Sequence, residues 1–178
     1  MRRGAIRAAL MIVTGTVVLA GVVTPASAET GSERYERGNA PAAIDITKLS
    51  VHNATARFTM RVAVRDLTER GRFTFHYWSG TSQTPPPRSL LIEVRRVDGD
   101  TRARFFGCGR EDCVVDTCPS LHAEWHPATD RVEVSASQRC YPRRDPNADP
   151  PDVGRFFAWS ETRTAEDAGS RPFQLSRG

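Results

Sequence analysis

The chain has 178 residues, with 25 Lys and Arg against 21 Asp and Glu and a formal net charge of +4. Three of these arginines, and none of the acidic residues, lie within the first 28 positions, which leaves 22 basic against 21 acidic residues and a net charge of +1 beyond them. The remaining arginines are interleaved with acids, which argues against nucleic acid as a partner because such partners need a concentrated basic field.

The N-terminus has the organisation of a secretory signal peptide. An arginine-rich start precedes an apolar stretch over residues 8–23, which is followed by the small residues Pro25-Ala26-Ser27-Ala28. The alternative is an uncleaved anchor helix, but the apolar stretch is short for a membrane span. We therefore predict that residues 1–28 are removed and that the mature protein is secreted, with no stable membrane insertion.

The mature chain is long enough for one domain with a substantial core. Residues 29–43 are polar and small and show no hydrophobic periodicity, so they predict a disordered linker. A single β domain is predicted over residues 44–178.

Alternation of apolar and polar residues predicts strands throughout that domain. The clearest case is residues 55–64, where Phe58, Met60, Val62 and Val64 occupy one face. Further strands are predicted at residues 44–51, 72–78, 89–97, 101–106, 121–125, 132–136 and 156–159. Seven or eight short strands with turns between them predict an all-β fold, an antiparallel β-sandwich of the jelly-roll type, with a closed β-barrel as the alternative.

Short turn and loop motifs separate these strands. Asp98-Gly99-Asp100 is typical of a tight hairpin turn. The triproline Pro85-Pro86-Pro87 must interrupt the sheet, because proline donates no backbone hydrogen bond. Asn53-Ala54-Thr55 is an N-glycosylation sequon, which matters only in a host that glycosylates.

The mature chain contains four cysteines, Cys108, Cys113, Cys118 and Cys140. An even number in an exported protein predicts two disulfides, although the sequence leaves three pairings open. We favour Cys108–Cys113, which closes a short loop, and Cys118–Cys140, which joins the two ends of a predicted hairpin. A zinc site of three cysteines and His122 is the alternative, and the C-x4-C-x4-C spacing does not favour it.

Two acidic segments are candidates for a structural calcium ion, and no other cofactor is predicted. Asp145, Asn147 and Asp149 alternate oxygen ligands as calcium loops do, but the glycine and glutamate positions of an EF-hand are not filled. Asp98 and Asp100 form the second candidate. The competing interpretation of both segments is a solvated turn.

The segment His122-Ala123-Glu124-Trp125-His126 places two imidazoles and a carboxylate on one strand face. On a straight strand the two histidines would stand about 13 Å apart, so one metal ion could not reach both. The pattern therefore favours a polar outer face over a metal site.

Trp78 and His76 are the candidate ligand-binding residues, at the end of a predicted strand. Alternation places Trp78 on the face opposite Phe75 and Tyr77. An outward tryptophan can stack on a sugar ring or join a protein interface. In the alternative, the Pro85-Pro86-Pro87 loop covers it.

Several segments resemble small secreted actinobacterial β-sandwich proteins, and through them the carbohydrate-binding-module-9-like and DOMON-like sandwiches. The segments that carry the resemblance are residues 45–53, 58–64, 132–134 and 140–142. The resemblance implies a jelly-roll-like sandwich with a role in ligand recognition, of sugar or haem in characterised relatives. No ligand-binding residue carries over from it.

The sequence contains no nucleophile elbow and no phosphate-binding loop, which favours a non-catalytic protein without deciding whether it is an enzyme. The favoured function is a secreted recognition domain that binds a polysaccharide, a cell-surface component or a protein partner. One alternative is a secreted hydrolase with a carboxylate or histidine site, since carboxylates are plentiful. The other is a secreted inhibitor or effector that presents the Cys108–Cys113 loop to a protein.

Overall fold

A computed structural model describes residues 28–35, 40–79, 88–109, 112–142, 151–168 and 172–178. The described residues form twelve strands and two single-turn 3₁₀ helices, Pro127–Thr129 and Gln138–Cys140. The strands are β1 (Glu29–Arg34), β2 (Ile46–Asn53), β3 (Arg57–Val64), β4 (Arg72–Ser79), β5 (Ser89–Val97), β6 (Asp100–Cys108), β7 (Cys113–Asp116), β8 (His122–His126), β9 (Arg131–Ser137), β10 (Val153–Glu161), β11 (Glu166–Ala168) and β12 (Phe173–Ser176).

The strands pair into two separate antiparallel sheets. A five-stranded sheet has the order β1-β2-β3-β9-β8. A seven-stranded sheet has the order β11-β10-β4-β5-β6-β7, and β12 also pairs with β10. The predicted antiparallel sandwich is confirmed, and the closed-barrel alternative is wrong because the described strands leave both sheets with open edges.

The core lies between the two sheets and follows the predicted alternation. Phe58, Met60 and Val62 of β3 are completely buried. They meet the inward face of the seven-stranded sheet, where the ring centroids of Phe58 and Tyr77 are 5.1 Å apart. Tyr77 also stacks on Phe156 at 4.7 Å. These large aromatic rings contribute to the buried apolar area that stabilises the sandwich, together with the aliphatic residues around them.

The predicted linker over residues 29–43 is wrong at its N-terminal end. Glu29–Arg34 forms β1 and pairs with β2 from Glu29↔Asn53 to Arg34↔Lys48, so the sandwich begins at residue 29 rather than 44. An edge strand is held mainly by backbone hydrogen bonds, so it needs no apolar periodicity in its sequence. Gly31 allows this close approach, since a Cβ there would lie 2.7 Å from Leu175.

The β5–β6 hairpin turns at Asp98 and Gly99, as predicted. Both residues have positive φ, 54° and 84°, which is the conformation of a type I′ turn. Asp98, Gly99 and Asp100 are all exposed. The Asp-Gly pair therefore sets the register between β5 and β6.

A buried polar network joins the two sheets at one end of the sandwich. Asn53 is completely buried, and its side-chain amide donates a hydrogen bond to the Leu175 carbonyl at 3.4 Å. The Gln138 amide donates to Oδ1 of Asn53 at 2.7 Å, and the Tyr77 hydroxyl donates to Oε1 of Gln138 at 3.3 Å. The sequon at Asn53 is therefore inaccessible in the folded domain.

Nearly all of the predicted signal peptide, residues 1–27, lies outside the described residues. Across the ranges that the structure does describe, no helix is long and apolar enough to cross a membrane.

Candidate ligand-binding face

All four cysteines are paired. Cys108 bonds to Cys113 and Cys118 bonds to Cys140, which confirms the favoured pairing. No cysteine remains free, so the alternative zinc site with His122 is wrong. Two disulfides in a domain of this size are typical of extracellular proteins.

The calcium candidates fall into two groups. Asp145, Asn147 and Asp149 lie outside the described residues. Asp98 and Asp100 flank the glycine of the exposed β5–β6 turn. Within the described part of the chain, no group of three or more His, Cys, Asp and Glu residues is placed to hold a metal ion.

His122, Glu124 and His126 line the outer face of β8, as the alternation predicted. Each carboxylate oxygen of Glu124 bonds to one imidazole, since Nε2 of His122 lies 2.9 Å from Oε1 and Nε2 of His126 lies 2.7 Å from Oε2. The hydrogen bond from His122 has the larger effect and the one from His126 the next, and together they lower the pKa of Glu124 to about 2. The three side chains satisfy one another on the surface of an edge strand.

Trp78 lies on the outer face of the large sheet, but its ring is 1% exposed. The sequence left open whether Trp78 is accessible or covered, and in the structure it is covered. Its ring centroid lies 4.8 Å from that of His76. Residues 80–87, which include the triproline, lie outside the described residues.

Two further aromatic residues, Phe157 and Trp159 of β10, share this outer face. Antiparallel pairing places Phe157 directly opposite His76 and Trp159 directly opposite Thr74. The ring centroids of Phe157 and Trp159 are 5.9 Å apart, and those of His76 and Trp159 are 6.2 Å apart. Both β10 rings are partly exposed. We call His76, Trp78, Phe157 and Trp159 the outer aromatic cluster.

His76 is the titratable member of this cluster and is neutral at physiological pH. Burial among the rings lowers its pKa from 6.5 to about 4. Its Nε2 atom is buried and has no hydrogen-bond partner among the residues that the structure describes. The four rings of the outer aromatic cluster are therefore uncharged, and two of them are partly exposed.

A positively charged cleft adjoins the cluster where β4 begins and where β5 and β10 end. It has a volume of about 710 Å³ and is lined chiefly by arginines. We call it the arginine cleft, and its charged lining residues are Arg70, Arg72, Arg95, Arg96, Arg163 and Glu161.

Strand register places two of these arginines, Arg72 and Arg95, in one row with a third arginine, Arg102, which lies beside the cleft. Glu161 of β10 lies opposite Arg72 of β4, and Arg72 lies opposite Arg95 of β5. Arg95 in turn lies opposite Arg102 of β6. Neighbouring strands are about 4.8 Å apart, so the three arginines occupy about 10 Å of one row across the sheet.

Acidic neighbours neutralise only part of this charge. Arg72 pairs with Glu93 at 2.9 Å and with Glu161 at 2.6 Å. Glu93 also lies 4.0 Å from Arg95, and Arg96 pairs with Glu69 at 2.6 Å. Arg70 and Arg163 are exposed and form no ion pair with any residue in the described ranges. The fold thus concentrates positive charge that the sequence shows only as interleaved residues.

Sequence reasoning missed both features, although it contained a signal for one of them. The segment Phe156-Phe157-Ala158-Trp159 is apolar at every position. A strand with one solvated face alternates, so an unbroken apolar run indicates that the second face is also covered or carries a function. The arginines gave no comparable signal, because only strand pairing brings residues 72, 95 and 102 together.

The comparison with known proteins adds no relative to this picture. The chain matches no protein-family model and no curated protein sequence.

Proposed function

We propose that this protein is a secreted, non-catalytic recognition domain that binds a polysaccharide on the outer face of its seven-stranded sheet. The observation that carries the proposal is the pair of partly exposed rings, Phe157 and Trp159, on the outer face of this sheet. Flat aromatic rings are suited to stacking on sugar rings, and binding sites combine such apolar surface with a few polar groups. The neighbouring arginines supply those polar groups.

Other features support the same proposal. The N-terminal sequence is typical of a cleaved signal peptide, and two disulfides suit an oxidising compartment. The resemblance to carbohydrate-binding-module-9-like and DOMON-like sandwiches points to ligand recognition. Mass spectrometry of the intact protein from the culture medium would test cleavage and secretion together. The expected mass is that of a chain that begins at Glu29.

The carboxylates that contact the arginines of the cleft favour binding over hydrolysis. Glu93 and Glu161 both form ion pairs with Arg72. An acid–base pair needs one carboxyl group that is free to hold a proton beside the scissile bond. These two glutamates instead hold an arginine in position, which suits a binding surface.

Binding is tested with the purified secreted protein on a panel of immobilised polysaccharides. The test variant is Trp159→Leu, which keeps apolar volume and removes the aromatic face. We expect it to weaken binding to the best polysaccharide about tenfold, since stacking contributes roughly 1–1.5 kcal/mol. Thr59→Ala, on the outer face of the other sheet, is the control. Equal binding by the two variants, with both folded, would contradict the proposal.

A second candidate function is an effector that binds a protein through β7. Val114 and Val115 are 62% and 69% exposed and are the exposed large apolar residues of the described chain. They lie on an edge strand next to the Cys108–Cys113 disulfide, and an edge with free backbone groups can pair with an extended segment of a partner.

This second candidate predicts a protein contact at position 115. A photo-crosslinking residue at 115, and not one at the exposed control position 139, should yield one discrete protein adduct on whole cells. Adducts from both positions, or from neither, would remove this candidate.

A further inference from the structure

We propose that the arginine cleft binds the anionic groups of an acidic polysaccharide, namely uronate carboxylates or sulfate esters. This inference rests on the proposed function and names the class of polymer. Its starting point is the row of Arg72, Arg95 and Arg102, which lie directly opposite one another on three adjacent strands. Arg72 and Arg95 share one carboxylate, that of Glu93, and Arg102 forms no ion pair within the described ranges. The row therefore keeps an excess of positive charge, which an anion bound beside it would neutralise.

Two arginines that form no ion pair in the described ranges, Arg70 and Arg163, line the same cleft. Arg70 precedes β4 and Arg163 follows β10, so they border the cleft from two separate loops. Neither is held by an acidic partner in the described part of the chain. A planar guanidinium with unused donors matches the paired oxygens of a carboxylate or a sulfate.

The cleft and the outer aromatic cluster form one continuous surface. Trp159 precedes Glu161 by two residues on the same face of β10, a separation of about 6.6 Å along the strand. That spacing is comparable to the length of one sugar unit. A chain lying along the outer face can therefore stack one ring on Trp159 while the acidic group of the next unit enters the cleft.

A charged, partly apolar surface of this kind distinguishes a sugar acid from other polymers. A neutral polysaccharide would use the rings but would leave the arginines of the row facing one another. Duplex DNA would use the arginines, but its stacked bases cannot reach a flat aromatic face. Both features together fit an extended chain of acidic sugars.

The test compares polymers that share a backbone and differ in charge. Binding of the secreted protein is measured by calorimetry for polygalacturonate against its fully methyl-esterified form, and for dextran sulfate against dextran. We expect at least one acidic polymer to bind about tenfold more tightly than its neutral counterpart. A preference for polygalacturonate would identify a carboxylate as the ligand group, and a preference for dextran sulfate would identify a sulfate ester. Raising NaCl from about 50 mM to about 500 mM should weaken the binding of the acidic polymer and leave that of the neutral polymer unchanged.

Two double variants locate the effect. Arg70→Gln with Arg163→Gln removes the two unpaired cations of the cleft and should weaken acidic-polymer binding about fivefold. Arg34→Gln with Arg139→Gln removes the same net charge from exposed sites elsewhere and should change it less than twofold. Thermal unfolding of both double variants confirms that each is folded.

The outcomes separate this inference from the proposed function. If neutral and acidic polymers bind equally, or if the two double variants lose equal affinity, the acidic-ligand inference is overturned while polysaccharide recognition stands. If duplex DNA binds as tightly as the acidic polysaccharides, the cleft is a general polyanion site and the inference is also overturned. If no polymer binds, both proposals fail.

Discussion

Arg95 of β5 lies directly opposite Arg102 of β6, on the outer face of the seven-stranded sheet. A pair of like charges in this position stabilises neither strand, yet Arg95 lines the arginine cleft and Arg102 lies one strand further along the same row. The pair therefore predicts opposite effects on stability and on binding.

Arg102→Gln should raise the free energy of unfolding by about 0.2–1 kcal/mol, because it removes repulsion from Arg95. The same variant should weaken polygalacturonate binding. Urea unfolding and calorimetry measure the two effects. Arg61→Gln is the matched control, since Arg61 lies opposite Glu133 with an ion pair of 2.7 Å and its loss should lower stability. A fall in stability for Arg102→Gln would contradict the interpretation of the arginine row.

His76 predicts a loss of stability in mild acid. Burial lowers its pKa in the folded state to about 4, whereas the unfolded chain binds a proton near the ordinary value of 6.5. The unfolded state therefore gains more protons as the pH falls from 6.5 towards 4, and the folded state loses stability over that window. Between pH 7 and pH 5 this amounts to about 2 kcal/mol.

His76→Phe should remove this component of the pH dependence, because phenylalanine keeps an aromatic ring and does not titrate. Chemical unfolding at pH 7 and pH 5 measures the difference. His52→Gln, at an exposed position on β2, is the control and should follow the unmodified protein. An unchanged pH dependence in His76→Phe would show that other groups cause the loss.

The Asn53–Gln138 hydrogen bond predicts a stabilising coupling inside the sandwich. Asn53→Ala and Gln138→Ala should each lower the free energy of unfolding by about 2 kcal/mol, because each leaves a buried polar group without its partner. The double variant should lose about 1 kcal/mol less than the sum of the two single losses. Strict additivity would show that the two side chains act independently.

The two disulfides should contribute unequally. Cys118–Cys140 spans 22 residues and Cys108–Cys113 spans 5. If the main effect is loop closure in the unfolded chain, replacing the longer bridge by two serines costs about 3 kcal/mol and the shorter one about 2 kcal/mol. Urea unfolding without reductant measures both. The reverse order would indicate that the short bridge mainly holds the β6–β7 pair.

Several features of the fold were predictable from the sequence because they depend on local periodicity. Alternation identified β3 and the inward face of β4, and Asp98-Gly99 identified the hairpin turn. Strands β1, β7, β11 and β12 were not predicted. Each is short or lies at an edge, where backbone pairing with a neighbour replaces an apolar pattern.

The sequence by itself determined that the domain is built of β-strands, because side chains alternate across a strand, and it favoured the sandwich and the disulfide pairing that the structure shows. Only the tertiary structure decided the candidate site. Residues 72, 95, 102 and 159 are distant along the chain, and strand order and register bring them to one face. Register depends on which strands pair, and hydrophobic patterning does not encode that pairing directly. For the same reason the covered ring of Trp78 could not be told from an exposed one by alternation alone.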